Sequence, residues 1–139
     1  MKKKIIKLFI DTDFRIIGIS TRLSAHKLSW LLNSELTTDF KQIDDLILKS
    51  TDSYTDLHHA VYEYSTRTGI TYKLIENKNN TSILIKKLNN IDYLLKIEGD
   101  FSEKNTELLV KRIREIENII ACLNIQTQTF KQKELDLIR

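Results

Sequence analysis

The 139-residue chain contains no proline, three glycines and a single cysteine. Each shortage excludes a class of chemistry. Gly18, Gly69 and Gly99 stand alone in the sequence, whereas a Walker loop or a dinucleotide fingerprint needs clustered glycines to bring backbone against phosphate. One cysteine gives no disulfide framework and no cysteine-rich zinc site. Cys122 lies inside the apolar run IIACLNI, so it reads as a small core residue and not as a nucleophile. There is no G-x-S-x-G elbow. No apolar run approaches the ~20 residues that cross a bilayer. The opening MKKKIIKLFIDTDF begins like a secretory leader, but Lys7 breaks its apolar stretch, Asp11 ends it, and no small-residue cleavage site follows. We read residues 4–10 as a strand and expect a cytoplasmic protein with no membrane association and no cofactor.

What is present is ordinary for a globular domain: 41% hydrophobic and 29% charged residues, within the length of one core. The net charge is +3. Isoleucine, lysine and asparagine are abundant, and all three have AT-rich codons. Codon bias alone would raise the basic balance, and lysine is a poorer bidentate phosphate reader than arginine.

Spacing sets the elements. FRIIGISTR (14–22) is β-rich. Ser24 caps a helix in which Leu28, Leu31, Leu32 and Leu36 recur at helical spacing. FKQIDDLILK (40–49) is a strand interrupted by Asp44 and Asp45, and 51–56 is a polar loop. Four short runs follow, over 58–66, 70–76, 81–86 and 91–99, with NKNN (77–80) as a hairpin signal. Ala60, Tyr62 and Tyr64, then Ile70, Tyr72 and Leu74, then Tyr93, Leu95 and Ile97, alternate onto one face. Glu63, Lys73, Lys96 and Glu98 fall on the other, which should meet water. Leu109, Ile113, Ile116 and Ile120 mark a last helix capped by Ser102 or Asn105, and 119–126 reads as a buried strand closing a right-handed β–α–β unit. A second, weaker β–α–β spans 14–48. The expectation is an α+β fold: an antiparallel-rich sheet covered on one face by two helices, in a ferredoxin-like or ACT-like layout with an inserted β-meander. Residues 1–130 form the single domain and 131–139 a charged tail.

The segment IKKLNNIDY, Ile85 to Tyr93, joins two apolar runs through a polar corner. It resembles the defining motif of the IPExxxVDY family, small bacterial proteins associated with the Bacteroidetes group. Ile85 matches the first position, Ile91 stands for Val, and Asp92 and Tyr93 match the close. FRIIGIS, HKLSWLLN and YLLKIEGD resemble the flanking parts, so the resemblance spans most of the chain. Lys86 and Lys87 stand where the family has Pro and Glu. The family carries no assigned activity, so the resemblance implies neither ligand nor cofactor. Read from the residues alone, Asp92 serves the turn made by Asn89 and Asn90, Tyr93 buries its ring with a wet hydroxyl, and Gly99 ends the strand.

Three chemistries compete for the remaining residues. TDSYTDLHHA gathers Asp52, Asp56, His58 and His59, with His26 as a further donor, and Asp56 and His58 are the best metal candidates. Adjacent His58 and His59 point to opposite faces of a strand, so they do not converge on one ion. Tyr62, Tyr64, Tyr72 and Tyr93, with nearby lysines, could stack bases on a sheet, but alternating aromatics also make core, and Lys73 and Lys96 would project oppositely. Trp30 is either core edge or exposed anchor. The expected function is therefore a non-enzymatic protein- or small-ligand-binding domain, with regulation as one use, and Asp92, Tyr93, Lys86, Lys87 and Trp30 as candidate binding residues. A protein partner or a homodimer formed through a sheet edge or helix face is expected. A basic RNA- or nucleoprotein-associated accessory protein is the alternative, and a metal-dependent enzyme using 52–59 ranks third.

Overall fold

Alternating apolar runs become the strands of one six-stranded antiparallel sheet. The computed structural model describes residues 14–49 and 55–139. The strand expected over 4–10, and Asp52 with most of its loop, lie outside these residues. In chain order the elements are β1 (Phe14–Thr21), α1 (Ala25–Leu36), β2 (Lys41–Leu48), β3 (Leu57–Ser65), β4 (Thr71–Glu76), β5 (Tyr93–Glu98), α2 (Glu103–Arg114), β6 (Ile119–Ile125) and α3 (Gln132–Ile138). The sheet order is β2-β3-β4-β5-β1-β6, and every neighbouring pair is antiparallel. The expected α+β class holds.

The two long helices begin where the sequence places caps. The Ser24 hydroxyl accepts from the Lys27 N–H, and the Ser102 hydroxyl from the Asn105 N–H, each satisfying an orphan donor of the first turn. Leu28 and Leu32 from α1, and Val110 and Ile113 from α2, pack with Ile17, Ile19, Leu74, Leu95 and Ile97 of the sheet into one buried cluster. Period two and period 3.6 thus meet on the face read from the sequence.

The opposite face departs from expectation. A second buried cluster joins Ile16, Val61, Ile75 and Leu94 of the sheet to Leu84, Ile85 and Ile91 and to Phe130, Leu135 and Ile138. Its cover has two sources. Residues 81–86, expected as a strand, make only an isolated bridge between Lys78 and Ile83, then a 3-10 turn over Lys86–Leu88. The run TSILIK is apolar on successive residues, so it suits a segment lying on a sheet as well as one inside it. Seven of the last nine residues, expected as a charged tail, form α3, with Leu135 and Ile138 buried. Lys96 also fails to reach water. It is 2% exposed, with its ammonium 4.9 Å from the Phe14 ring centroid and 3.2 Å from Glu98 Oε1, a pairing that offsets the desolvation of the charge.

Two further expectations change. The unit β5–α2–β6 has parallel strands with β1 between them, as a split β–α–β has, while β1 and β2 are separated by three strands, β3, β4 and β5. The two halves expected of a ferredoxin-like layout are therefore unequal. Among the described residues β6, expected as buried, is an edge strand with Ile120 and Leu123 exposed; the register shift between Ser20 and Thr21 leaves Ile120 without a partner in β1.

Gly99 ends β5 with φ +114°, and a Cβ there would lie 2.7 Å from the Gly69 carbonyl oxygen. Gly69 has φ +91° but open space where its Cβ would be. Gly99→Ala should therefore cost about 2–3 kcal/mol and Gly69→Ala about 1 kcal/mol, read by urea denaturation. Equal costs would mean that the backbone contact does not constrain the corner.

Candidate functional site

The polar corner is a fastening. Asp92 does not serve the turn beside it: its Oδ2 accepts from the Thr21 N–H on β1 at 2.9 Å, and its carbonyl accepts from the N–H groups of Asn77 and Lys78. Tyr93 buries its ring, but its hydroxyl is not wet, because it donates to the Leu23 carbonyl at 2.7 Å. Lys87 reaches the Thr129 carbonyl, sits 3.1 Å from Glu134 and lies over the Phe130 ring. It pins the segment before α3. Of the corner residues named from the sequence, Ile85 and the exposed Lys86 line a cavity.

The residue that organises this corner was not among the candidates. Asn77, with no exposure at all, donates through Nδ2 to the Leu88 and Ile91 carbonyls and accepts through Oδ1 from the Ile85 N–H. Its only signal in the sequence was an asparagine directly after an alternating strand. That pattern also fits a hairpin.

The tyrosines lie on the sheet face that the helices cover, Tyr62 and Tyr93 buried and Tyr64 and Tyr72 half-buried. Tyr64 and Tyr72 stack at 5.8 Å between centroids, with Phe40 against both and Phe101 against Tyr72, while Lys73 and Lys96 project from the other face. Burial pushes the Tyr93 phenol well above its usual range, assisted by the charges of Glu76 and Asp92. Burial raises Tyr62 and Tyr72 as well. The Cys122 thiol is pushed up to about 12 by burial, against the opposing Arg114 charge, which fits a core residue.

Among the described residues of the 52–59 stretch, histidine and carboxylate do not converge. His58 is exposed and pairs with Asp45 at 3.4 Å, and Asp56 pairs with Lys49 at 3.1 Å. His59 points inward, as alternation requires, and is fully buried. Its Nδ1 lies 2.8 Å from the Glu76 carbonyl and its Nε2 2.7 Å from the Ser82 hydroxyl. Among the described residues no group of three His, Cys, Asp or Glu side chains could hold a metal ion.

Trp30 stands outside the core, 68% exposed. It lines a hollow of about 460 Å3 with Leu23, His26, Lys27, Leu31 and Asn118. Asn118 reaches this hollow from the α2–β6 turn, where its φ of +77° suits asparagine, and its carbonyl accepts from the Thr21 hydroxyl. Ile120, 67% exposed, lies two residues further along β6. A cavity of about 630 Å3 lies on the other side of the sheet, between the 81–86 segment, the ends of β2 and β3, and α3.

No helix among the described residues is long and apolar enough to cross a membrane. The chain matches no protein-family model, and no curated protein matches it.

The raised Tyr93 phenol has a consequence at alkaline pH. The unfolded phenol ionises near its ordinary value of about 10, while the folded one stays protonated, so above that pH the folded state holds the extra proton and stability falls as pH rises. Tyr93→Phe should cost about 1 kcal/mol at pH 8, from the lost hydrogen bond. The gap to wild type should narrow by pH 10.5, measured by denaturant titration. A constant or widening gap would contradict the buried, neutral phenol.

Proposed function

We propose that this chain is a cytoplasmic protein-binding domain that docks a partner in the groove beside Trp30. The partner is a protein segment presenting an apolar side chain flanked by acidic ones. One observation carries the reading: an indole two-thirds exposed on the rim of an apolar hollow. Tryptophan is the residue type most enriched among interface anchors, and it gains most when a partner completes its desolvation. The surroundings define the partner's chemistry. Leu23 and Leu31 form the floor, His26 and Lys27 are on the rim, and among the described residues no carboxylate lines the hollow. Edge strand β6 begins beside it with Ile120 exposed, so a partner strand can extend the sheet there. This surface is a binder and not a catalyst. The RNA-associated alternative draws less support, since Tyr62 and Tyr93 are buried and the half-buried Tyr64 and Tyr72 pack against Phe40 and Phe101.

We also propose membership of the IPExxxVDY family, on the Ile85–Tyr93 motif. Its two departures are compatible with the fold. Ile85 is extended, with φ −105° and ψ 97°, which is what a residue before proline adopts, so the family's Pro would fit where Lys86 stands. Lys87 pairs with Glu134, and a Glu there would meet a like charge.

Trp30 is the only tryptophan, so it reports its own burial. The test purifies partners from nuclease-treated native lysate with wild type and with Trp30→Ala, then reconstitutes the complex from pure components. The expected result is a stoichiometric acidic partner that shifts Trp30 emission to the blue, with at least tenfold weaker binding by Trp30→Ala and by Lys27→Glu. Equal binding by all three proteins would overturn the reading. A dimer of this chain that Trp30→Ala dissociates would instead assign the groove to a second copy.

A further inference from the structure

On the opposite side of the sheet, independent of the Trp30 groove, Ser82 and His59 stand in the relation of nucleophile and base. We propose that Ser82 is a reactive serine that accepts an acyl group from a carboxylic ester with a short acyl chain. The chemistry follows from three hydrogen bonds. The Glu76 carbonyl can only accept, so the proton of the neutral His59 ring lies on Nδ1, 2.8 Å away. Nε2 then carries the lone pair and takes the Ser82 hydroxyl at 2.7 Å. A carbonyl thus orients the imidazole as a third group does in a nucleophile–base–orienter arrangement. Ser82 is also fixed from behind: Asn79 Oδ1 accepts the Ser82 N–H, and the Ser82 carbonyl accepts the Asn79 N–H, both at 3.0 Å. The Asn79 side-chain amide in turn donates to the Glu76 carboxylate and the His58 carbonyl, which holds the loop that carries Ser82.

The surroundings give the substrate class. Ser82 opens on the cavity of about 630 Å3, a size suited to a small ligand. Leu57, Ile83 and Leu137 supply apolar wall for an acyl chain, and Lys86 and Lys133 line the same space, favouring a leaving group that carries negative charge. Glu134 lines it too, but that carboxylate is engaged by Lys87 and by the Lys131 N–H. His59 itself is wholly buried, with Ser82 bonded to its Nε2 and lining the cavity, so the water of the second half-reaction approaches Nε2 from the cavity side.

The step balances without a cofactor. Ser82 Oγ bonds to the acyl carbon as its proton passes to His59 Nε2. The ester C–O bond breaks, and the alcohol leaves with that proton. Water repeats the sequence with His59 as base, releasing the acid and restoring Ser82.

The experiment treats the full chain with a fluorophosphonate probe and with p-nitrophenyl acetate, and locates adducts by peptide mass. The expected result is one equivalent of label on Ser82, a matching burst of p-nitrophenolate, and no label in Ser82→Ala. His59→Gln should slow labelling by roughly a hundredfold, the scale of general-base assistance. Because His59 is buried, thermal melting first establishes that this variant folds; the wild-type and Ser82→Ala results decide the matter by themselves. No adduct on wild-type Ser82, or the same labelling in Ser82→Ala, overturns the proposal and leaves the Ser82–His59 bond as a structural tie.

Discussion

A single buried amide holds the second face of this protein together. Asn77 leaves the end of β4 and satisfies three backbone groups belonging to residues 85, 88 and 91. Those groups lie in an irregular segment pressed against a sheet, where water cannot serve them. Unsatisfied, each would cost about 1–3 kcal/mol. With them satisfied, the chain between β4 and β5 can cross the sheet without becoming a strand. That crossing lets Leu84, Ile85 and Ile91 complete a second core, brings Ser82 over His59, and leaves a ledge on which α3 rests.

The family-like corner is the other end of the same fastening. Asp92 reaches across to β1, and its carbonyl receives the N–H groups of Asn77 and Lys78, so the return of the chain into β5 is set by the residue that began the excursion. Tyr93 then ties the first residue of β5 to Leu23 just before α1, and Lys87 ties the excursion to the segment before α3. The residues that resemble a motif are spent on joining the two faces of the sheet. The surfaces that remain available, the Trp30 groove and the Ser82 cavity, lie on opposite faces, so the two need not interfere.

The helix-covered half was legible in the sequence. Alternation placed Tyr62, Leu74, Leu95 and Ile97 on one face, and spacing of three and four placed Leu28, Leu32, Ile113 and Ile116 against them, with serine caps marking both helix starts, although Val110 went unnamed and Ile120, read as helical, lies exposed in β6. The other half was not legible, for a physical reason. Residues 81–91 have neither period, since a segment lying flat on a sheet buries whichever side chains its turns point downward. Lys96 alternated as a polar residue should, yet Phe14 and Glu98 hold it under cover. Seven residues of α3 with two buried side chains are too few to stand out from a charged background. Of the candidate sites, the exposed Trp30 was one of two readings open from the sequence. The Ser82–His59 pair was invisible because its members are separated by 23 residues and meet only through the crossing.

The most direct measurement of this account is native-state hydrogen exchange at the Ile85 amide, whose proton is held by Asn77 Oδ1 at 2.8 Å. If the buried amide fastens the crossing to the sheet, this proton exchanges only when the whole domain unfolds, with protection equal to that of the β5 amides. Exchange faster by orders of magnitude, while the β5 amides stay protected, would show that residues 77–91 open on their own and that the second face does not depend on Asn77.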